Sequence, residues 1–167
     1  ELASLMESIR VHGKGTMKYD NVRIGLNSRL DTIQAAILSV KLKAFKEYEV
    51  EAVNRVAEKY TELLKDTVKT PVIPEGFYSS WAQYTIRLDD RETRGALQAE
   101  LKEHGIPSMV YYPKPMHMQK AFELDEHYPF ECKNTTELCD TVLSLPMHPY
   151  LKEEDIQEVV AGIKQFL

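Results

Sequence analysis

The sequence predicts an α/β protein: a long linking helix followed by a two-layer β-α-β-α-β-α sandwich with a small sheet of three or four strands. Three observations predict it. Apolar residues recur at helical spacing from Thr32 to about Leu64 with no Pro or Gly between them. Beyond residue 80, short runs of alternating apolar and polar residues are interleaved with helical stripes, as in a strand–helix–strand order. Helix-start pairs at capping-box spacing, Asp31/Gln34, Asp89/Glu92 and Asn134/Glu137, stand at the joints.

Composition narrows the class. A chain of 167 residues can bury one real core, and 43% hydrophobic with 28% charged residues is ordinary for a globular protein. The net charge of −5 offers no global field for nucleic acid. No apolar run approaches the roughly 20 residues of a transmembrane helix. No signal peptide is visible, which fits a cytoplasmic location. Cys132 and Cys139 read as two free thiols; a zinc site wants more ligands at closer spacing. The five histidines (His12, His104, His117, His127, His148) include no i, i+4 pair, and no Gly-rich phosphate loop is present. The chain therefore offers no metal site. The first residues, Glu-Leu-Ala-Ser-Leu-Met-Glu-Ser-Ile-Arg, are already helical in period and lack an initiator Met, so the sequence reads as a piece of a longer protein.

In order, residues 1–11 read as a helix stopped near His12-Gly13. Residues 12–30 show no period and form the one locally basic stretch, with His12, Lys14, Lys18, Arg23 and Arg29 opposed only by Asp20; Tyr19 is an aromatic inside it. Gly25 and Asn27 can take positive φ at little cost, which suits a sharp turn. From Thr32 the stripe Ile33, Ile37, Val40, Ala44, Phe45, Tyr48, Ala52, Val56, Tyr60, Leu63 makes a helix of about 50 Å, with a bend expected near residues 44–48. A helix that long spans two domains or meets a partner, so part of its apolar face lacks cover. Pro71, Pro74 and Gly76 make a loop, then Ala82-Gln-Tyr-Thr-Ile-Arg-Leu88 alternates as a strand. A helix to about His104 follows, with Ala96, Leu97 and Leu101 inward and Gly105 as its stop. Ile106-Pro-Ser-Met-Val-Tyr-Tyr112 reads as the next strand, Gln119–Phe122 as a short helix, and Leu143-Ser-Leu-Pro146 as a last strand. Ile156, Val159, Val160, Ile163 and Phe166 mark a final amphipathic helix behind the acidic start Glu153-Glu-Asp155.

Arg23, Asn27, Ser28 and Arg29 sit on a polar loop at a helix N-terminus, where free N–H groups and the helix dipole suit an anion. An ordinary capped turn accounts for the same residues. In Val110-Tyr-Tyr-Pro-Lys-Pro-Met-His117, two adjacent tyrosines point to opposite faces of a strand, so at most one faces the core and the other hydroxyl is free for a ligand. A tyrosine that packs and bonds a carbonyl explains it as well.

Gly25-Leu-Asn-Ser-Arg-Leu-Asp-Thr-Ile-Gln-Ala-Ala36 resembles the motif of PLP-dependent nucleotide-sugar aminotransferases of the DegT/StrS type. Val110–His117 resembles that family's Val-His-Tyr-Pro-x-Pro pattern, with Tyr111 in place of a common His, and Leu143-Ser-Leu-Pro-Met-His-Pro-Tyr-Leu151 resembles its C-terminal signature, which we read as structural, with His148 packed or hydrogen-bonded. The resemblance implies a division into residues 1–31, the tail of a large PLP domain; 32–64, a linking helix; and 65–167, a small C-terminal α/β domain. It implies pyridoxal 5′-phosphate as cofactor, and a homodimer in which Asn27 reaches the partner's PLP phosphate. Arg29 then lies near the partner's substrate, with His12 and Lys14 as weaker members of that basic mouth. Tyr111, Tyr112 and His117 are the implied substrate contacts. The Schiff-base lysine is implied to lie upstream, so the catalytic set is absent and this piece alone is inactive. The implied reaction moves an amino group from L-glutamate to a UDP-linked keto-sugar, a 3-keto sugar by the closest resemblance, in surface polysaccharide synthesis. Three alternatives stay open: a non-catalytic nucleotide-sugar-binding module, a dimerisation module, and a PLP-dependent sugar dehydratase relative.

Overall fold

The computed structural model describes residues 1–17, 20–120 and 132–167; Lys18, Tyr19, Phe122 and His127 of the sequence analysis lie outside them. The described residues divide into two compact units, Glu1–Glu47 and Tyr48–Leu167.

In the first unit, helix α1 (Leu2–Ile9) ends at Arg10, and the chain reverses through His12 (φ 61°) and Gly13 (φ 74°). Residues 21–28 return antiparallel to it. Val11 pairs with Asn27 and Lys14 with Asn21. The N–H of His12 donates to Leu26 O at 2.8 Å, and those of Leu26 and Ser28 donate to Ile9 O at 2.7 Å and Arg10 O at 2.9 Å. Gly25 and Asn27 were expected at positive φ; neither has it. Asn27 is extended within the ribbon, and Gly25 serves instead to let two backbones touch. Helix α2 (Thr32–Ala44) starts where expected, with Asp31 accepting the Gln34 N–H at 2.8 Å. None of its residues is buried: Ile33 is 76% and Val40 73% exposed, so the stripe read in the sequence finds no cover among the described residues.

Where a bend was expected, the helix carries a π-helical turn, Phe45–Glu49, followed by helix α3 (Val50–Leu64). A π turn inserts an extra residue per turn and shifts the helical phase. After it, Ala52, Val56 and Tyr60 are buried together with Val53, Ala57 and Leu64. Strand β1 (Tyr84–Arg87) pairs antiparallel with strand β2 (Val142–Leu145) in the register Tyr84↔Leu145, Thr85↔Ser144, Ile86↔Leu143, Arg87↔Val142. Alternation sends Tyr84, Ile86, Leu143 and Leu145 into one core. That core also takes residues from α3, from helix α4 (Arg91–Glu103) and from helix α6 (Glu153–Phe166). On the other face the hydroxyls of Thr85 and Ser144 lie 2.8 Å apart.

The expected third strand, 106–112, is reduced to a single bridge: Met109 exchanges both backbone bonds with Ser144, at 3.0 and 2.7 Å. Pro107 has no N–H to extend the ladder. Lys69 bridges Arg87 on the opposite edge, so the sheet is two strands, each flanked by one bridge. Helix α4 is capped by Asp90, not Asp89: Asp90 accepts Thr93 N–H at 2.8 Å and its hydroxyl at 3.1 Å. Its C-terminus is a Schellman turn, with Gly105 at φ 74°, Ile106 N–H donating to Leu101 O at 2.8 Å and Gly105 N–H to Lys102 O at 3.0 Å. Leu97 and Leu101 are buried as expected, but Ala96 is exposed and Arg94 is buried, its Nε donating to Asp140 O at 3.2 Å. Helix α5 (Lys133–Thr141) begins at Cys132, so Asn134 lies inside its first turn rather than capping it. Of the short helix expected at 119–122, residues 121 and 122 lie outside the described residues; a 3₁₀ turn, Met116–Met118, ends at Gln119.

Candidate functional site

Two places carry the residues singled out by sequence. The first is the ribbon of the Glu1–Glu47 unit. The Val11–Asn27 pairing places His12 and Ser28 on adjoining stretches, with Lys14 two residues along on the same ribbon. His12, Lys14, Asn27 and Arg29 are all exposed. Asn27 and Arg29 make no side-chain hydrogen bond among the described residues. Arg23, expected at the same mouth, instead folds back: its guanidinium donates to Ser8 Oγ, whose hydroxyl donates to Lys14 O at 2.5 Å. The loop therefore offers an amide and a guanidinium to solvent on a backbone held by the ribbon and by the Asp31 cap.

The second is a cleft of about 690 Å³ in the other unit, within the size range of small-molecule sites. Tyr111, Tyr112 and Lys114 line it with Gln119, while Leu138 and Cys139 of α5 and Val142 of β2 form the facing wall. The tyrosines do not alternate across a strand as expected. Both are exposed, at 41% and 69%, and both line the cleft, with ring centroids 5.8 Å apart and planes at 69°. No strand imposes alternation there, because the chain has left the sheet after Met109. His117 lies half-buried in the 3₁₀ turn and is not among the described residues lining the cleft. Sequence reasoning passed over Lys114 and Gln119. Lys114 is bracketed by Pro113 and Pro115, which fix the turn, and Gln119 Nε2 donates to its carbonyl at 3.4 Å.

The C-terminal signature is structural, as read. Pro146 O accepts the Tyr60 hydroxyl at 3.1 Å, and His148 Nδ1 accepts the Tyr150 N–H at 3.2 Å. The Tyr150 hydroxyl donates to the buried Glu49 carboxylate and lies 3.4 Å from that of Tyr48; the bond to Glu49 holds its pKa well above the ordinary value. Cys132 is exposed, Cys139 buried, and both are free. Among the described residues there is no metal-binding cluster, and no helix is long and apolar enough to cross a membrane.

A helix-backed antiparallel sheet with an aromatic cleft, joined in sequence to a polar ribbon and helix, defines an α/β protein. The chain belongs to the DegT/DnrJ/EryC1/StrS aminotransferase family, whose model matches residues 1–164. It is 41% identical over 165 residues to UDP-2-acetamido-2-deoxy-3-oxo-D-glucuronate aminotransferase of Pseudomonas aeruginosa, covering 98% of this chain and 44% of that protein. It is 44% identical over 170 residues to a pleiotropic regulatory protein of Geobacillus stearothermophilus, covering 99% of this chain and 44% of that one. The crystal structure of a DegT DnrJ EryC1 StrS aminotransferase from Brucella abortus superposes with a TM-score of 0.85 at 49% identity, over 99% of this chain and 43% of that one. NtdA from Bacillus subtilis, solved with bound cofactor PMP, superposes at 0.76 with 25% identity, over 95% and 38%. The chain thus spans about 44% of the length of the curated relatives it matches.

Proposed function

We propose that this chain is part of a pyridoxal-phosphate-dependent aminotransferase. It moves an amino group from L-glutamate to the keto group of a UDP-linked sugar, in surface polysaccharide synthesis in the cytoplasm. One observation carries the proposal: the family match over residues 1–164, at 41% identity to an enzyme named for a UDP-linked 3-oxo sugar. The division into 1–31, 32–64 and 65–167 belongs to the same proposal.

The donor set fits the cofactor. Asn27 presents an exposed amide with no side-chain partner among the described residues, on a backbone paired to Val11. Such an amide donates to a phosphate oxygen. In a homodimer Asn27 holds the phosphate of the partner's cofactor, and Arg29 pairs with an anionic group of the partner's substrate in bidentate fashion. His12 and Lys14 add positive charge to that mouth. Tyr111 and Tyr112 give the nucleotide sugar two ring faces and two hydroxyls, with His117 beside them in sequence. Pyridoxal phosphate, when bound, supplies the electron sink for the transfer. The Schiff-base lysine belongs to the remainder of the protein, so the 167-residue chain is inactive by itself.

The test is an assay of the whole protein with pyridoxal phosphate, ¹⁵N-labelled L-glutamate and a UDP-3-keto sugar. Label appearing in the sugar supports the proposal; no cofactor absorbance and no transfer overturns it. The similarity to a pleiotropic regulatory protein favours a second reading, a non-catalytic nucleotide-sugar-binding or dimerisation module. Binding of the nucleotide sugar by the whole protein without turnover selects that reading.

A further inference from the structure

Lys114 carries the only charge among the described residues that line the 690 Å³ cleft. Its backbone is fixed by Pro113 and Pro115 and by the 3.4 Å bond from Gln119. No ion pair or hydrogen bond engages its ammonium among the described residues. Its walls are aromatic and aliphatic: Tyr111, Tyr112, Leu138 and Val142. Lys114 is half-buried in this wall with no described partner for its ammonium, so an arriving anion supplies the counter-charge that the cleft lacks among the described residues.

We infer that Lys114 is a specificity-determining residue that selects an anionic group, carboxylate or phosphate, on the ligand lying against Tyr111 and Tyr112. The inference rests on the nucleotide-sugar reading above. It goes further in naming the charge requirement and the residue that imposes it. The ammonium is a compact point charge with three rotatable donors on a flexible stem. It therefore follows an anion without demanding one planar geometry, and it accepts a sugar carboxylate or a diphosphate oxygen.

Three probes separate the sources: UDP-N-acetylglucosamine, UDP-N-acetylglucosaminuronate and free N-acetylglucosamine. Each is titrated against the whole protein, its Lys114→Met variant and its Lys114→Arg variant, following the ring resonances of Tyr111 and Tyr112. The expected result is a loss of about tenfold in affinity on Lys114→Met, the size of one charge-assisted contact, with most of it restored by Lys114→Arg. A loss confined to the uronate assigns Lys114 to a sugar carboxylate. An equal loss for both UDP-sugars, with free N-acetylglucosamine unaffected, assigns it to the diphosphate. Tyrosine shifts that persist with unchanged affinities in Lys114→Met overturn the role of Lys114 and leave the nucleotide-sugar reading standing. No shift at either tyrosine with any probe overturns both.

Discussion

A Cβ on Gly25 would stand 2.1 Å from the backbone nitrogen of Gly13. The same atom would lie 2.6 Å from Ile9 O, so the returning ribbon runs against the end of α1 with no room for a side chain. Gly25→Ala must push the ribbon off α1. The Leu26 N–H bond to Ile9 O and the His12 N–H bond to Leu26 O then lengthen or break. The expected outcome is a fall of about tenfold or more in amide-exchange protection at His12 and Leu26. Leu97 and Ile163, buried in the other unit, keep theirs. Unchanged protection at both ribbon amides counts against the close approach.

The pH response of α4 follows from Asp90. The Thr93 backbone N–H, and then its hydroxyl, hold the Asp90 carboxyl below its ordinary value of 3.8. A group whose folded pKa is depressed adds stability above its unfolded pKa, and that contribution disappears as pH falls through the folded value. Asp90→Asn keeps a capping oxygen but cannot titrate. It is expected to stay close to the parent in Tm at neutral pH and to lose less on acidification below about pH 4. Asp90→Ala lowers Tm at neutral pH. An Asn variant that tracks the parent down the whole acid limb removes Asp90 from the account.

The sequence was informative where one face of an element is buried against its own neighbours. The stripes of α3, α4 and α6 put Val56, Tyr60, Leu97, Leu101, Ile156 and Ile163 in the core, as read. Neighbouring choices were less legible. Asp89 and Asp90 are equally good caps by type, and what separates them is the hydroxyl of Thr93, which gives Asp90 a second bond. Ala96 was read as inward, yet at about 100° per residue it lies off the face shared by Leu97 and Leu101; Arg94 is on that face, is buried, and reaches Asp140 O. Alternation in 106–112 suggested a strand, but Pro107 leaves Met109 alone to pair. At the site, the adjacent tyrosines could be seen in the sequence. The opposing wall, Leu138 and Cys139, could not, because a contact across more than 25 positions leaves no mark on local periodicity.

Two buried tyrosines set the alkaline limit. Burial raises the pKa of Tyr60, helped by Asp155 and Tyr84, and burial also raises that of Tyr84 against the bond from Thr61. Their ordinary value is 10.0. Below it both states keep the proton and the contribution is complete; above it the unfolded chain ionises first, so stability falls as pH rises toward the folded values. Lys59, raised by its bond to Glu153, acts in the same direction from 10.5 upward. Tyr60→Phe is expected to cost about 1 kcal/mol at neutral pH through loss of the bond to Pro146 O. It should also flatten the decline above pH 10, read from urea midpoints across a pH series. An unaltered alkaline slope in that variant removes Tyr60 as a source.

Trp81, the single tryptophan of the chain, sits at φ 46°, a conformation that bulky residues rarely adopt. Asn54 holds it there. Its Oδ1 accepts the indole N–H at 3.0 Å, while its Nδ2 donates to Ser79 O at 3.1 Å and Val50 O at 2.7 Å. One amide thus ties the loop ahead of β1 to α3, and the indole packs on Tyr84 with centroids 5.6 Å apart. Asn54→Ala frees all three bonds at once and leaves a strained residue without its restraint, a cost of about 2–3 kcal/mol. Asn54→Asp keeps an acceptor for the indole but loses both donors, so it should fall between the two. Because no other tryptophan contributes, the emission maximum reports this site directly: it is expected to shift to the red in Asn54→Ala and less in Asn54→Asp. An Asn54→Ala protein with parental emission and parental stability would mean that packing against Tyr84 alone fixes Trp81.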